Sequence, residues 1–563
     1  MTNQSLVDPD WYIGTVTLVS AALIQANLPY ATANPERRGL ARGVVGDFVF
    51  IDCETIKLLG RIVEVRLPDH ERLTVEPAMG ERPETHPIGR IQLLASVDMR
   101  DQKLMRGLRV HPCIGDAIYQ ADIHVFGRLL SNALNTDETI TVDVGRLDTG
   151  GGVDLRLQPE KVFGRHCGVF GATGGGKSWT LASLLSQIKE AGGKAILFDP
   201  TGEFANVPAI SRHYAFDDDE PHTTRVHFPY RKMTEDDLFA LLRPSGQSQG
   251  PKLREAIKSL KLVQALGGVS NQITIFDGRL ITKRQKPRAA FYNISNQHRA
   301  ALHDASCDFA IESLAEQVHA ECVYSTDNNN PANFGNIDQQ ALGYCETLVA
   351  RIRNLTNSAE LACLFGNVGP SLAEELDRFI ASEDDDIIRI SFKNVRFEHN
   401  TREILMNVIG RYMLSQARAD VFRNRPMIAF LDEAHQFLGR IVGDEYSSVR
   451  LDAFGLIAKE GRKYGLTCVM ATQRPRDVPA DVLSQLGTLI VHRLTNDDDR
   501  QAVERACGDL DKNAALFIPT LAPGEAVIIG PDLPAPVPIR VHQPLSPPNS
   551  KGPDFQGYWK GRR

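Results

Sequence analysis

No apolar run in the 563-residue chain approaches the roughly 18 residues that a membrane-spanning helix needs, so a membrane-anchored protein is not expected. The opening stretch, Met1 to Gly14, has neither a basic head nor an apolar segment, and a secretory signal is not expected. Nine cysteines are scattered with no CxxC pair and no His–Cys metal spacing. They read as reduced packing residues of a cytoplasmic protein. Positive charge is not in excess: 63 Lys and Arg stand against 70 Asp and Glu, a net charge of −7. That excludes a uniformly basic nucleic-acid coat but not a local basic channel, because binding follows the local field. What remains is an ordinary soluble composition, 42% hydrophobic and 24% charged, in a chain long enough for about two to four domains.

Residues 1–150 read as short strands. Val63, Val65 and Leu67 alternate with Glu64 and Arg66; Ile140, Val142 and Val144 alternate with Thr141 and Asp143. Gly39, Gly43, Gly46, Pro83, Pro87 and Gly89 fall between such runs, and the pattern predicts a small sandwich or barrel. Gly150, Gly151 and Gly152 mark a join. From 151 to 214, fully apolar runs (Cys167–Phe170, Ala195–Phe198) alternate with helix or loop, the texture of a parallel sheet covered on both faces. Residues 215–382 read as an inserted, mostly helical block, with Ile311, Leu314, Ala315 and Val318 at helical spacing. Between Lys252 and Arg288 this block carries nine basic and two acidic residues, either a solvated face or a contact for nucleic acid or a partner. Strand signals return at Ile387–Phe392, Met427–Leu431, Thr467–Ala471 and Thr488–Val491, giving a second part of the α/β core over 383–545. Eight prolines between Pro531 and Pro553 predict an extended tail, with 546–563 as its end.

Gly171-Ala-Thr173-Gly174-Gly175-Gly176-Lys177-Ser178 fits GxxxxGK[ST]. Glycines let backbone N–H groups converge on phosphate oxygens without a Cβ in the way. Lys177 suits the β- and γ-phosphates, and Ser178 offers a hydroxyl to Mg²⁺. Trp179, next in the helix, joins this nucleotide-binding set. Met427 to Leu431 is an apolar strand that delivers Asp432 and Glu433 to its end. Asp432 is placed to hold Mg²⁺ through water, and Glu433 to orient or deprotonate an attacking water. His435, just beyond, reads as a packing or capping residue. Thr467 to Gln473 is another apolar strand, and its terminal amide, Gln473, suits a γ-phosphate sensor. Asp199-Pro-Thr-Gly-Glu203 follows the second core strand, with Glu203 a further candidate for positioning water. Arg462 lies near the end of an amphipathic helix, where it serves either the helix dipole or a neighbour's nucleotide as an arginine finger.

Six stretches resemble the HerA–FtsK superfamily of ATP-dependent DNA translocases, and HerA in particular: 164–178, 199–204, 427–438, 458–465, 471–475 and 492–500. The N-terminal strands resemble that family's HAS barrel. The resemblance implies an α/β fold: a RecA-like P-loop NTPase core with an N-terminal small β-barrel and an inserted helical bundle. It implies ATP and Mg²⁺ as cofactors, a homohexameric ring and double-stranded DNA through the pore. Glu433 is then the catalytic acid, Gln473 the sensor and Arg462 the finger across a subunit interface, with Arg165 assisting near the nucleotide. Arg440 is a candidate DNA phosphate contact. Family members work with a nuclease, NurA in archaea, and some bacterial look-alikes stand beside a defence effector such as a sirtuin-like NADase. No nuclease signature stands out in this chain. The competing expectation is a nucleotide-gated ring scaffold that assembles and regulates an effector without processive translocation.

Overall fold

The computed structural model describes residues 8–32, 41–68, 86–134, 140–147, 152–217, 222–366, 368–383, 386–396, 398–442, 448–507, 515–549 and 554–560. The turn residues Gly39 and Pro83, the join residues Gly150 and Gly151, and residues 550–553 and 561–563 of the tail lie outside them. The chain forms two compact units. One comprises residues 1–193, 206–209 and 467–563; the other comprises 194–205 and 210–466.

The first unit opens with seven strands: β1 (Tyr12–Val19), β2 (Leu23–Asn27), β3 (Phe48–Cys53), β4 (Ile56–Arg66), β5 (Ile88–Asp98), β6 (Lys103–Arg106) and β7 (Ala117–Gln120). They pair in the order β2-β1-β7-β3-β4-β5-β6, and β5 pairs again with β2. Six antiparallel strands therefore close into the barrel that the alternating pattern predicts, with β6 outside the closure. Closure removes the exposed edges that a short-stranded sheet would otherwise present. Alternate residues fill the interior, among them Ile13, Val16, Ile24, Val49, Ile51, Leu58, Ile62, Ile91 and Ile118. A Cβ on Gly14 would stand 1.9 Å from the Asn27 carbonyl oxygen, so only glycine allows β1 to cross there.

The rest of this unit is a mixed sheet. Three parallel strands, Leu466–Thr472, His166–Phe170 and Leu486–His492, lie side by side with His166–Phe170 in the middle. Every residue of that middle strand is buried, because neighbours flank it and both faces are covered, which is why it reads as an unbroken apolar run. Antiparallel strands Glu525–Ile529 and Val537–Arg540 extend the sheet, followed by the hairpin Val142–Leu147 and Val153–Leu157. The alternating run at Val142 and Val144 thus pairs in this sheet. Within the proline-rich stretch Val537–Arg540 is an extended strand paired in the sheet, and beyond it Phe555–Lys560 is a short helix.

The second unit holds a wholly parallel sheet in the order Thr224–Arg225, Arg212–Ala215, Ile387–Ser391, Lys194–Asp199, Met427–Leu431. Helix Thr401–Arg418 packs on helix Ala453–Glu460. Gly410 permits the approach, since a Cβ there would reach the Phe454 ring at 2.9 Å. The inserted block is helical as expected, with its longest members at Gly246–Ala265 and Gln339–Thr356. A two-stranded hairpin, Ile275–Phe276 with Leu280–Ile281, interrupts it. Leu262, Val263, Ile281, Ile294 and Leu302 give that region a small core of its own. All nine cysteines are free thiols and seven are buried, which fits their reading as packing residues. Among the described residues no helix is long and apolar enough to cross a membrane.

Candidate nucleotide site

Gly171 leaves the end of the strand His166–Phe170, and its N–H donates to the Thr472 carbonyl at 3.3 Å. The next N–H, of Ala172, donates to the Arg493 carbonyl at 2.9 Å. The loop is thereby pinned to the ends of both flanking strands. A Cβ on Gly171 would meet the His492 Cβ at 2.6 Å, so the loop has to be glycine where it passes that side chain. Gly174 (φ +75°) and Gly176 (φ +122°) hold backbone that other residues avoid, and nothing stands within 4 Å of where a Gly174 Cβ would be. The crest of the loop is bare, open backbone. Helix Lys177–Glu190 follows with Gly176 at its cap, a residue with no side chain to bond the helix N-terminus. Backbone amides and the helix dipole are therefore left to face an anion.

Lys177 is buried, Ser178 and Trp179 are half-buried, and Thr173 is exposed. The Thr173 hydroxyl donates to Gln473 Oε1 at 2.6 Å. The structure thus brings together Gly171, Thr173, Gly174, Gly175, Gly176, Lys177, Ser178, Trp179 and Gln473 in the first unit.

Sequence reasoning missed His492, which forms the seat of this loop. It is fully buried. Its Nδ1 lies 2.8 Å from the Glu525 carbonyl and its Nε2 lies 2.8 Å from the Thr180 hydroxyl. A carbonyl only accepts, so Nδ1 carries the proton and Nε2 accepts from Thr180. Burial, with the Lys177 charge adding to it, pushes the imidazole down to about 4, so it is neutral at physiological pH. The Gly524 N–H, one residue before Glu525, donates to the Gly175 carbonyl at 3.1 Å. The signals in the sequence were a histidine closing a buried strand and its place at the head of the resembling stretch 492–500.

A neutral buried histidine makes stability depend on pH. Unfolded, it takes a proton below its ordinary value of 6.5; folded, it resists until about 4. The stabilisation is complete above 6.5, declines as pH falls through that window, and levels off below 4; the gap is worth roughly 3 kcal/mol. His492→Asn keeps a donor for the Glu525 carbonyl and does not titrate. Urea unfolding at pH 7.5 and pH 4.5 is expected to show a smaller acid loss in His492→Asn than in wild type. Equal acid losses in the two proteins would rule out His492 as the source.

In the second unit, Met427–Leu431 runs parallel to Lys194–Asp199 with Phe198 opposite Leu431. Asp432 and the Asp199–Glu203 loop therefore leave the same, C-terminal edge of adjacent strands. The Asp432 N–H donates to the Phe198 carbonyl at 3.3 Å, and the residue is buried. Glu433 sits in the left-handed region (φ +47°), a cost that a non-glycine residue bears mainly at functional sites. His435 Nδ1 lies 3.3 Å from Glu433 Oε2, so the histidine packs beside the glutamate. Asp199 is spent on structure. Its carboxylate accepts from the Gly202 N–H at 2.8 Å, the Phe204 N–H at 3.1 Å and Arg389 Nε at 2.7 Å. The ion pair with Arg389 is wholly buried. This network shapes the loop that carries the half-buried Glu203.

Three arginines stand elsewhere. Arg462 is exposed, in the short 3-10 turn Gly461–Tyr464, where Gly465 (φ +79°) ends the turn and the Gly465 carbonyl accepts from the Met427 N–H at 2.8 Å. Met427 begins the strand that Asp432 and Glu433 end. Arg462 therefore lies at the opposite edge of the sheet from its own chain's carboxylates, about 16 Å of strand away. Arg165 likewise precedes the strand His166–Phe170, and its side-chain stem covers Gly487. The structure does not bring it to the phosphate loop of its own chain, which leaves the strand's other end. Arg440 is exposed on a hairpin, Arg440–Val442 with Val449–Leu451, that also presents Arg450 and exposed Ile441. Strands this short carry no periodicity, so the hairpin and Arg450 were not legible beforehand.

A glycine phosphate loop on a buried parallel strand, with a buried strand that ends in Asp-Glu, defines a P-loop NTPase with a RecA-like core. The family model described as the helicase HerA central domain matches residues 142–364, and that described as HerA-like helicase C-terminal matches 420–551. The chain belongs to the HerA family of DNA helicases and translocases. A probable helicase of Methanocaldococcus jannaschii is 23% identical over 88% of this chain and 86% of its own length. The DNA double-strand break repair helicase HerA of Pyrococcus furiosus is 26% identical over 71% of this chain and 69% of its own. Among solved structures, VirB4 of Thermoanaerobacter pseudethanolicus aligns over 73% of this chain and 97% of its own at 15% identity, with a TM-score of 0.40.

Proposed function

We propose that this protein is an ATP-driven translocase on duplex DNA, acting in the cytoplasm as a homohexameric ring. The observation that carries the reading is the placement of Arg462, exposed at the sheet edge opposite the carboxylates of its own chain. A cation there has no substrate phosphate to serve in its own subunit and suits one presented by a neighbour. The residue chemistry of each unit fits a magnesium nucleotide: Ser178 in the first and Asp432 in the second would each offer a hard oxygen donor, and the open glycine crest leaves backbone amides for phosphate. Mg²⁺-ATP would supply the transferable phosphoryl group. Lys177 would hold the β- and γ-phosphates, Glu433 would take a proton from or orient the attacking water, and Gln473, which accepts from the Thr173 hydroxyl, would sense the γ-phosphate. Glu203 is held by the Asp199 loop as a second water-positioning group. Arg440, joined by Arg450, grips DNA phosphate. With no nuclease signature of its own, the motor would serve a separate effector, a NurA-like nuclease or a sirtuin-like NADase.

A motor that moves along DNA must hold phosphates, which carry no sequence information. Its affinity is therefore expected to fall steeply with salt and to vary little with sequence. Arg440→Ala should weaken binding to all sequences alike and lower the slope of log K against log salt by about 1. Duplex DNA should also stimulate ATP turnover. A flat salt dependence with DNA-independent turnover would favour a nucleotide-gated scaffold instead.

A further inference from the structure

The inserted block contains a cavity of about 490 Å³, within the range of roughly 300–1,000 Å³ typical of small-molecule sites. It lies between helix Gly246–Ala265, helix Arg288–Gln297 and the segment that follows helix Leu314–Ala320. Its floor is a buried ion pair of Lys283 and Glu321. Glu321 Oε1 also accepts from the Gln317 amide at 2.8 Å and from the Ser259 hydroxyl. The floor is thereby neutral and held in place. The Lys283 ammonium also lies 4.2 Å from the centroid of the Phe291 ring.

One wall is aromatic. Phe291, Tyr292 and Phe334 meet edge-on or tilted, with centroids 5.8–6.0 Å apart. Tyr292 is 49% exposed, a costly state for a large ring with no partner. The rim carries two cations, Lys258 and Arg299, which are exposed and hold no ion pair among the described residues; the His303 ring lies beside them. Lys252 is the exception, committed to Glu255 and to the Glu321 carbonyl. An apolar ligand would leave these cations without purpose, and a bare inorganic anion would not need the aromatic wall.

We infer that this cavity binds one nucleotide unit, its base against Tyr292 and its phosphate on Lys258 and Arg299. Ser295 and Asn296, which also line it, offer hydrogen bonds to the base edge. The site is separate from the glycine phosphate loop and would take a free nucleotide or one residue of a nucleic-acid strand.

Calorimetric titration of the full-length chain tests this, in a Lys177→Ala background so that the phosphate loop contributes little. The probes are AMP, TMP and a five-residue oligothymidylate. At least one should bind. Tyr292→Ala and Arg299→Glu, both at exposed positions, should each weaken it tenfold or more, as expected for losing a stacking partner or a phosphate contact, and Arg299→Lys should recover part of the loss. Binding of AMP or TMP identifies a free nucleotide; binding of the oligonucleotide alone identifies a strand. If no probe binds, or if affinities are the same in wild-type, Tyr292→Ala and Arg299→Glu cavities, the inference is overturned. A circular-dichroism melt matching the parent chain confirms that each variant is folded.

Discussion

Arg462→Ala is expected to lower kcat by roughly three to five orders of magnitude while ATP affinity stays near that of wild type. The guanidinium would stabilise charge that develops on a neighbour's γ-phosphate, so its loss falls on the transition state rather than on binding. The residue is exposed at the sheet edge remote from its own Asp432 and Glu433, so its removal leaves those groups and the phosphate loop intact. Mixing gives the decisive measurement. Lys177→Ala subunits would lack a working loop and Arg462→Ala subunits the proposed finger; each is expected to be inactive alone. A mixed ring places an intact loop beside an intact finger at some interfaces. Partial recovery of ATPase activity supports action between subunits. No recovery after demonstrated subunit exchange would return Arg462 to the role of complementing its helix dipole, and exposed Arg493 would become the candidate.

Glu433→Gln should bind ATP as wild type does and lose about two to four orders of magnitude in kcat, the usual worth of a positioned general base. The amide fits the same backbone, keeps the volume, and cannot take a proton from water. Glutamine at φ +47° costs about what glutamate does, so the fold is preserved. Affinity and single-turnover rate, measured together, separate this variant from Lys177→Ala, which should lose both. Wild-type turnover in Glu433→Gln would move the base to Glu203.

The phosphate loop and the Asp-Glu strand were legible because their chemistry demands fixed residue types at close sequence spacing. The barrel was legible from alternation, since each strand has one wet and one dry face. The remaining features depend on residues far apart in the chain. His492 could not be assigned to the loop from sequence because its partner Thr180 stands 312 positions away. Val537–Arg540 was hidden by its prolines, whose composition argues against a strand while its ladder partners at 525–529 argue for one. Arg165 stands away from its own chain's loop for a simple reason: proximity in sequence to a loop places a residue beside it only if no strand intervenes. Five residues separate it from Gly171, and all five form the strand that carries the chain across the sheet.

The contacts that seat the phosphate loop have a consequence for how the molecule is made. Gly171 to Ser178 emerge early in synthesis, but His492, Gly524 and Glu525, which hold that loop from beneath, are added more than 300 positions later. At about 5–20 residues per second, the ribosome takes roughly 15–60 s to close that interval. Through that time the glycine loop has no seat, and the nascent chain is expected to lack a finished phosphate site. Nucleotide capture is thus expected to wait on residues 492–525, and a product terminated before them would carry the full motif without its seat.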